Sequence, residues 1–112
     1  MGSIDISALA ESMLAAAKAP LGNLWATAAP FAKDQFINIA QTIASIGEQV
    51  VAGQLTEAQA ALELDMQKNA AETALLTVKG MSEIAAESAV NGALGAVAAA
   101  VNTALGFTLI SL

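Results

Sequence analysis

Residues 30–53, PFAKDQFINIAQTIASIGEQVVAG, show the strongest periodic pattern in the chain. Apolar residues recur there at spacings of 4, 3, 4, 3 and 4, which place them in one stripe along an α-helix. The residues of this stripe are Ala32, Phe36, Ile39, Ile43, Ile46 and Val50. Pro30 suits the first turn of a helix and Gly53 the residue beyond its end, so the pattern predicts a helix over residues 30–52.

Three further helices are predicted, over residues 5–18, 57–79 and 82–108. Thr56 and Gln59 have the spacing of a capping box, which marks the start of the third helix. Pro20 and Pro30 disfavour helical geometry in the residues before them, so a connector anchored by Trp25 is expected between the first two helices. The sequence therefore predicts an all-α, alanine-rich single domain of 112 residues, folded as a helical hairpin or a small bundle of about four helices.

Gly80 determines whether the last two helices are separate. Lys79 suits the last turn of one helix and Ser82 the N-cap of the next, which permits a break. A single glycine inside a helix costs only about 1 kcal/mol relative to alanine, so one continuous helix from Thr56 to Phe107 is the alternative. A break gives a compact bundle, whereas a continuous helix of roughly 75 Å, at about 1.5 Å per residue, needs partner chains to cover it.

The composition excludes most enzyme classes. The chain has no His and no Cys, so the usual general base, the thiol nucleophile and the commonest metal ligands are absent. Ten acidic residues and four lysines leave a formal charge of −6, which is unfavourable for binding nucleic acid. Carboxylates such as Glu83 and Glu87 are the remaining candidate groups, and charged helix faces of this kind are usually solvated. We therefore expect a protein that is not an enzyme and that uses no cofactor or metal.

Residues 88–112 contain no charged side chain, so we expect them to be buried against something other than water. On a helical wheel, bulky apolar residues lie on one side of this segment and smaller residues lie beside them. The bulky residues are Val90, Leu94, Val97, Val101, Leu105 and Leu112, and their neighbours are Asn91, Gly95, Ala98, Asn102 and Gly106. Three placements are open: the centre of a bundle, the contact between identical helices, and a bilayer.

The length of this segment allows it to span a bilayer, because about 20 apolar residues suffice. Its flanks favour burial in protein instead, since no Lys or Arg follows it and no Trp or Tyr marks a membrane interface. Asn91 and Asn102 would each need a hydrogen-bond partner in lipid. These asparagines either set the register of a helix interface or face solvent, and the sequence leaves both interpretations open.

The leading hypothesis is a non-enzymatic structural or assembly protein that self-associates into a homo-oligomer through apolar helix faces. The residues predicted to form the helix interface are Phe36, Ile39, Ile43, Ile46, Val50, Leu94, Gly95, Val97, Val101, Asn102, Leu105 and Gly106. The alternative is a membrane-active helical protein, of the pore-forming, lysis or viral genome-delivery type, that inserts residues 88–112 into a bilayer.

The expected partners follow from these two hypotheses. They are copies of the same chain, with another helical protein or a lipid bilayer as alternatives, and nucleic acid is not expected. The first residues carry no Lys or Arg before an apolar run, so no signal peptide is predicted. A cytoplasmic or virion-associated location is therefore favoured over secretion through a signal peptide.

Overall fold

Four α-helices make up most of this chain in its computed structural model, which describes residues 4–111. The helices are α1 (Ile6–Leu21), α2 (Trp25–Val51), α3 (Glu57–Leu76) and α4 (Glu83–Leu105). A 3₁₀ turn, Gly22–Leu24, separates α1 from α2, and no strand occurs in the described residues. The predicted all-α fold is confirmed as a small helical bundle. Residues 1–3, where a signal peptide would begin, and Leu112, which ends the uncharged segment, lie outside the described part of the chain.

Side-chain caps set the residues at which the helices begin. Asp5 caps α1, because its Oδ1 accepts a hydrogen bond from the first turn of the helix at 3.1 Å. Thr56 and Gln59 form the predicted capping box of α3. The Gln59 N–H donates to Thr56 Oγ1 at 3.1 Å, and the Thr56 N–H donates to Gln59 Oε1 at 2.9 Å. Both bonds satisfy backbone donors that the helix itself leaves free.

The last two helices are separate. α3 ends at Leu76, and Gly80 has a φ of +88°, a left-handed conformation that cannot continue a right-handed helix. Ser82 then caps α4, because its Oγ accepts a hydrogen bond from the Ala85 N–H at 3.1 Å. The break at Gly80 folds α4 back along the bundle, so other helices of the same chain cover one side of it.

The connection between α1 and α2 is shorter than the sequence predicts. α1 continues through Pro20, and α2 begins at Trp25 rather than at Pro30. Gly22 reverses the chain with φ +52° and ψ −121°, a conformation that side chains with a β-carbon do not adopt. Each proline removes one backbone donor, and the packing of both helices on the core outweighs that loss. Trp25 is half-buried against the core at this end of the bundle.

The four helices pack around one core, each antiparallel to the next in the chain. α1 and α3 each contact both α2 and α4, so the helices form a closed ring around the apolar interior. The contact between α1 and α4 is the most extensive, and the contact between α3 and α4 is the least. α2 has 27 residues and is about 40 Å long at 1.5 Å per residue, close to the 43 Å length of the molecule.

Small side chains allow the helices to approach each other closely. Buried alanines occur in all four helices, interleaved with a few large residues. The largest fully buried side chains are Phe36, Met13, Ile39, Ile43, Ile46, Leu75, Leu94, Val90 and Val101. A β-carbon at Gly92 would lie only 3.7 Å from the carbonyl oxygen of Ala16, so α4 lies almost against the backbone of α1.

Candidate interaction surfaces

The apolar stripe of α2 lies inside the bundle. Phe36, Ile39, Ile43 and Ile46 are buried, and Val50 is half-buried. The four buried side chains belong to one core cluster that all four helices share. The sequence predicts these residues at a helix interface, and the interface that they form is internal to the chain. They are therefore inaccessible to a second copy in this conformation.

The residues of α4 and its C-cap that are predicted at an interface differ in burial. The buried group is Leu94, Val97, Val101 and Leu105, the exposed group is Gly95 and Gly106, and Asn102 is half-buried. From residue 88 to residue 106 the exposed residues are all small and uncharged, namely Ser88, Gly95, Ala96, Ala99, Ala100, Thr103 and Gly106. The bundle therefore buries one side of α4 and leaves the other side of residues 88–106 exposed, so this chain alone does not bury the whole uncharged segment. Exposure of this side of the helix to water costs little free energy, because alanine and glycine have little apolar area.

Asn102 holds the chain that follows α4. Its Oδ1 accepts hydrogen bonds from the N–H groups of Leu109, at 2.8 Å, and Ile110, at 3.0 Å. Its Nδ2 donates to the carbonyl oxygen of Ile110 at 3.0 Å. Gly106, with a φ of +80°, turns the chain back, and Leu109 and Ile110 are buried beside α3. The Asn102 amide therefore binds backbone groups of its own chain. The sequence suggests two other roles, setting the register of a helix interface or facing solvent, and neither includes this contact.

Asn91 has a different environment. Its Oδ1 is buried, and no donor in residues 4–111 forms a hydrogen bond with it. Asn91 lies on the same side of α4 as Glu87 and Leu94, which line gaps between α3 and α4. A buried amide oxygen without a partner is unfavourable. Asn91 lies on the side of α4 that faces α3, and these two helices have the least extensive contact in the ring.

α3 has apolar residues on two opposite sides. The inner side packs into the core through the buried residues Ala60, Leu64, Ala71 and Leu75. The opposite side carries a second set of uncharged residues at spacings of 4, 4, 3, 4 and 3, four apolar and two polar, which we call the outer stripe: Ala58, Leu62, Met66, Asn69, Thr73 and Leu76. All six of these residues are exposed. A helix with two such sides normally has a partner on each. The inner side of α3 packs into the core, whereas the outer stripe borders open grooves, one with α2 at Met66 and one with the start of α4 at Asn69, Thr73 and Leu76.

The outer stripe contains half of the large apolar side chains that the described chain exposes. Leu62 is 62% exposed, Met66 63% and Leu76 39%. The other three, Phe31, Val51 and Ile84, occur singly on α2 and at the start of α4. No charged residue interrupts the stripe, although acidic residues lie along its edge. Large exposed apolar side chains that recur along one helix face are typical of an interaction surface, whereas single ones are not.

The acidic side chains form no obvious chemical site. Within the described part of the chain, no group of three or more metal-ligating side chains is placed to hold a metal ion. Glu63 lines a groove between α3 and α2, and Asp65 lines a groove between α3 and α4, so this pair points to different sides. Glu83 and Glu87 share a shallow groove with Glu72. The exposed helix faces, and not the acidic groups, are therefore the candidate functional surfaces.

No protein-family model, curated protein or solved structure matches this chain. The bundle exposes faces of all four of its helices. Among those faces, the outer stripe of α3 is the one that combines large apolar side chains with helical periodicity.

The sequence by itself does not reveal the outer stripe, because α3 carries two apolar sets at once. Residues of the inner and outer sides alternate along the chain with charged and polar residues between them, so no single stripe stands out. The available signal is the spacing of 4, 3, 4 and 3 that links Leu62, Met66, Asn69, Thr73 and Leu76. The same rhythm occurs in α2, where it marks a buried stripe. Periodicity therefore finds a contact surface but does not say whether the contact is internal.

Proposed function

We propose that this chain is a non-enzymatic structural or assembly protein that self-associates into a homo-oligomer through the outer stripe of α3. One observation carries the proposal. Exposed, uncharged residues, three of them large and apolar, run along the side of α3 that faces away from the core. The stripe of α2 and the bulky residues of α4 are already used inside the bundle. The outer stripe is the apolar helix face that is left for a second chain.

A second copy is the favoured partner because the stripe is complementary to itself. A row of apolar residues at alternating spacings of about 3 and 4 packs against another row of the same kind. Moving Leu62, Met66 and Leu76 out of water contributes roughly 1–2 kcal/mol for each side chain, given that they are already partly covered. Two copies together gain roughly 6–12 kcal/mol, against an association cost of about 4–15 kcal/mol. The most favourable combination of these ranges leaves about 8 kcal/mol, which corresponds to a Kd of about 1 μM, so we expect association at micromolar or higher concentrations.

Light scattering on the purified chain over a range of concentrations tests this proposal. The expected result is a mass that rises above that of one chain as the concentration increases. The substitutions Leu62→Lys and Met66→Lys place charges in the stripe and are expected to return the mass to that of a monomer. Both sites are exposed, so circular dichroism should show the same helical content as the unmodified chain.

Ile84→Lys provides the matched control. Ile84 is the most exposed large apolar residue described, at 78%, and it lies on α4 outside the stripe. Its substitution is expected to leave the oligomer mass unchanged. A monomer at every concentration, or equal loss of association in the Ile84 variant, would contradict the proposal.

Insertion into a bilayer is the second candidate function, and α4 supports it. Within the described residues, α4 is the one helix long and apolar enough to cross a membrane, and only 39% of its most apolar window is buried. Because the bundle covers only one side of α4, fewer contacts have to break for this helix to leave the bundle than for a helix covered on all sides.

Flotation of the protein with vesicles of mixed neutral and anionic lipids, at neutral and acidic pH, tests the second candidate. The unmodified chain is expected to float. Ala99→Lys, on the exposed side of α4, should prevent flotation, because a charge at the centre of a membrane helix is costly. Ala70→Lys, at an exposed site on α3, is the matched control and should float normally. Failure of the unmodified chain to float under every condition would exclude this function.

A further inference from the structure

We infer that α3 pairs with α3 of a second copy in a parallel, in-register arrangement, set by Asn69 and by the acidic side chains at the edge of the outer stripe. The inference rests on the proposed self-association and adds the orientation of the partner. Two such helices can pair in a parallel or an antiparallel orientation. The inference also rests on the different residues that the two orientations bring together.

Asn69 occupies the middle of the stripe. Leu62, Asn69 and Leu76 are seven residues apart, and Met66 and Thr73 alternate with them, so the stripe has heptad spacing. In a parallel, in-register pair, each residue meets its own counterpart, and the two Asn69 amides can donate and accept hydrogen bonds to each other. A polar residue that is satisfied only in one alignment selects that alignment.

The antiparallel arrangement leaves Asn69 without a partner. In the register that overlaps the whole stripe, Leu62 meets Thr73 of the second copy, and Met66 meets Asn69. Each amide then faces a thioether, which is a weak hydrogen-bond acceptor and no donor. Burial of an unpaired amide disfavours this arrangement.

The charges at the edge of the stripe favour the same orientation. In a parallel pair, Asp65 lies opposite Ala70 of the second copy, and Glu72 lies opposite Thr77, so each acid meets an uncharged residue. In the antiparallel pair, Asp65 lies opposite Glu72, and this contact occurs twice. Like charges placed opposite each other repel, and a chain of formal charge −6 has few cations to compensate them.

The parallel arrangement predicts a closed dimer. A two-fold axis parallel to α3 brings the same stripe of both copies together and leaves no second outer stripe free, so the contact does not propagate. The cores of the two bundles lie on the far sides of their α3 helices, where the inner residues Leu64 and Ala71 are buried. The pairing therefore leaves each bundle intact.

Disulfide trapping tests the orientation, because the chain has no cysteine of its own. Three full-length variants are needed, each with one cysteine: Leu62→Cys, Thr73→Cys, and the control Ile84→Cys. A disulfide needs its two α-carbons within about 7 Å, so each variant reports on one contact. Each is oxidised alone, the first two are also oxidised as a mixture, and mass spectrometry identifies the linked chains.

We expect the Leu62 and Thr73 variants each to form a disulfide with itself, at least about tenfold faster than the Ile84 control, because pairing raises the effective concentration of the two thiols. Preferential linkage of position 62 to position 73 in the mixture would show an antiparallel pair and overturn the inference. Linkage no faster than in the control, in a chain that light scattering shows to be a dimer, would overturn it as well and leave self-association standing. A monomer in light scattering would instead remove the proposed function itself.

Discussion

A β-carbon on Gly47 of α2 would lie 2.6 Å from Cδ2 of Leu105 on α4. Leu105 therefore occupies the space in which a side chain at position 47 would lie, and both residues are buried. A glycine in the middle of a helix costs about 1 kcal/mol relative to alanine. Here the missing side chain brings two helices that are not neighbours in the chain into direct contact.

Gly47→Ala is accordingly expected to lower the free energy of unfolding by about 1 kcal/mol, because overpacking at Leu105 exceeds the gain in helix propensity. Gly92→Ala is the matched control, since its β-carbon would meet its nearest neighbour at 3.7 Å, an ordinary contact. That change should raise the free energy of unfolding by about 0.5–1 kcal/mol. Urea denaturation measures both, and equal effects of the two changes would contradict this account of Gly47.

Replacement of the two asparagines of α4 by leucine is expected to affect the free energy of unfolding differently. Asn102→Leu removes three hydrogen bonds to Leu109 and Ile110 and should lower the free energy of unfolding by about 2–3 kcal/mol. Asn91→Leu removes an amide whose Oδ1 has no donor within residues 4–111, and it should be neutral or stabilising by about 1 kcal/mol.

Amide hydrogen exchange distinguishes the cause of these effects. In the Asn102 variant, the amides of Leu109 and Ile110 should exchange much faster, because they lose their acceptor. In the Asn91 variant, their protection should be unchanged. Unchanged exchange at both amides in the Asn102 variant would mean that the side chain does not hold this segment.

Gly22 and Gly106 are expected to differ in how well they accept other residues. Gly106 has φ +80° and ψ 11°, a left-handed conformation in which asparagine is tolerated, whereas Gly22 has φ +52° and ψ −121°. Gly106→Ala should cost about 1–2 kcal/mol, and Gly106→Asn should recover part of that loss. Gly22→Ala and Gly22→Asn should both cost about 3 kcal/mol. Thermal unfolding of the four variants checks this order, and a rescue by asparagine at Gly22 would show that the turn adopts another conformation.

The caps of the last two helices are expected to contribute measurably to stability. Thr56→Ala and Ser82→Ala each remove a side-chain acceptor from a helix start and should lower the free energy of unfolding by about 1 kcal/mol. Thr103→Ala, at an exposed site within α4, is the control and should be neutral or slightly stabilising. Chemical denaturation provides the comparison. Cap variants that match the control would indicate that packing alone sets these helix starts.

Local signals in the sequence account for much of the fold. The capping box at Thr56, the cap at Ser82 and the left-handed Gly80 each act within a few residues, so sequence spacing is enough to locate them. The start of α2 is different, because Pro30 suggests a boundary that the chain does not use. The packing of both helices and the reversal at Gly22 outweigh the local preference of the proline.

The amino-acid sequence by itself establishes that this chain is helical, where most of its helices begin, and which residues form an apolar stripe on α2 and α4. These properties follow from short-range geometry, since residues three and four apart share a helix face. The side of each helix that becomes buried depends on how all four helices pack around one small core. This packing buries the stripe of α2 and the bulky side of α4, and it leaves the outer stripe of α3 exposed to water. Only the packed structure shows this face, because burial is a property of the whole assembly of helices and not of any one segment.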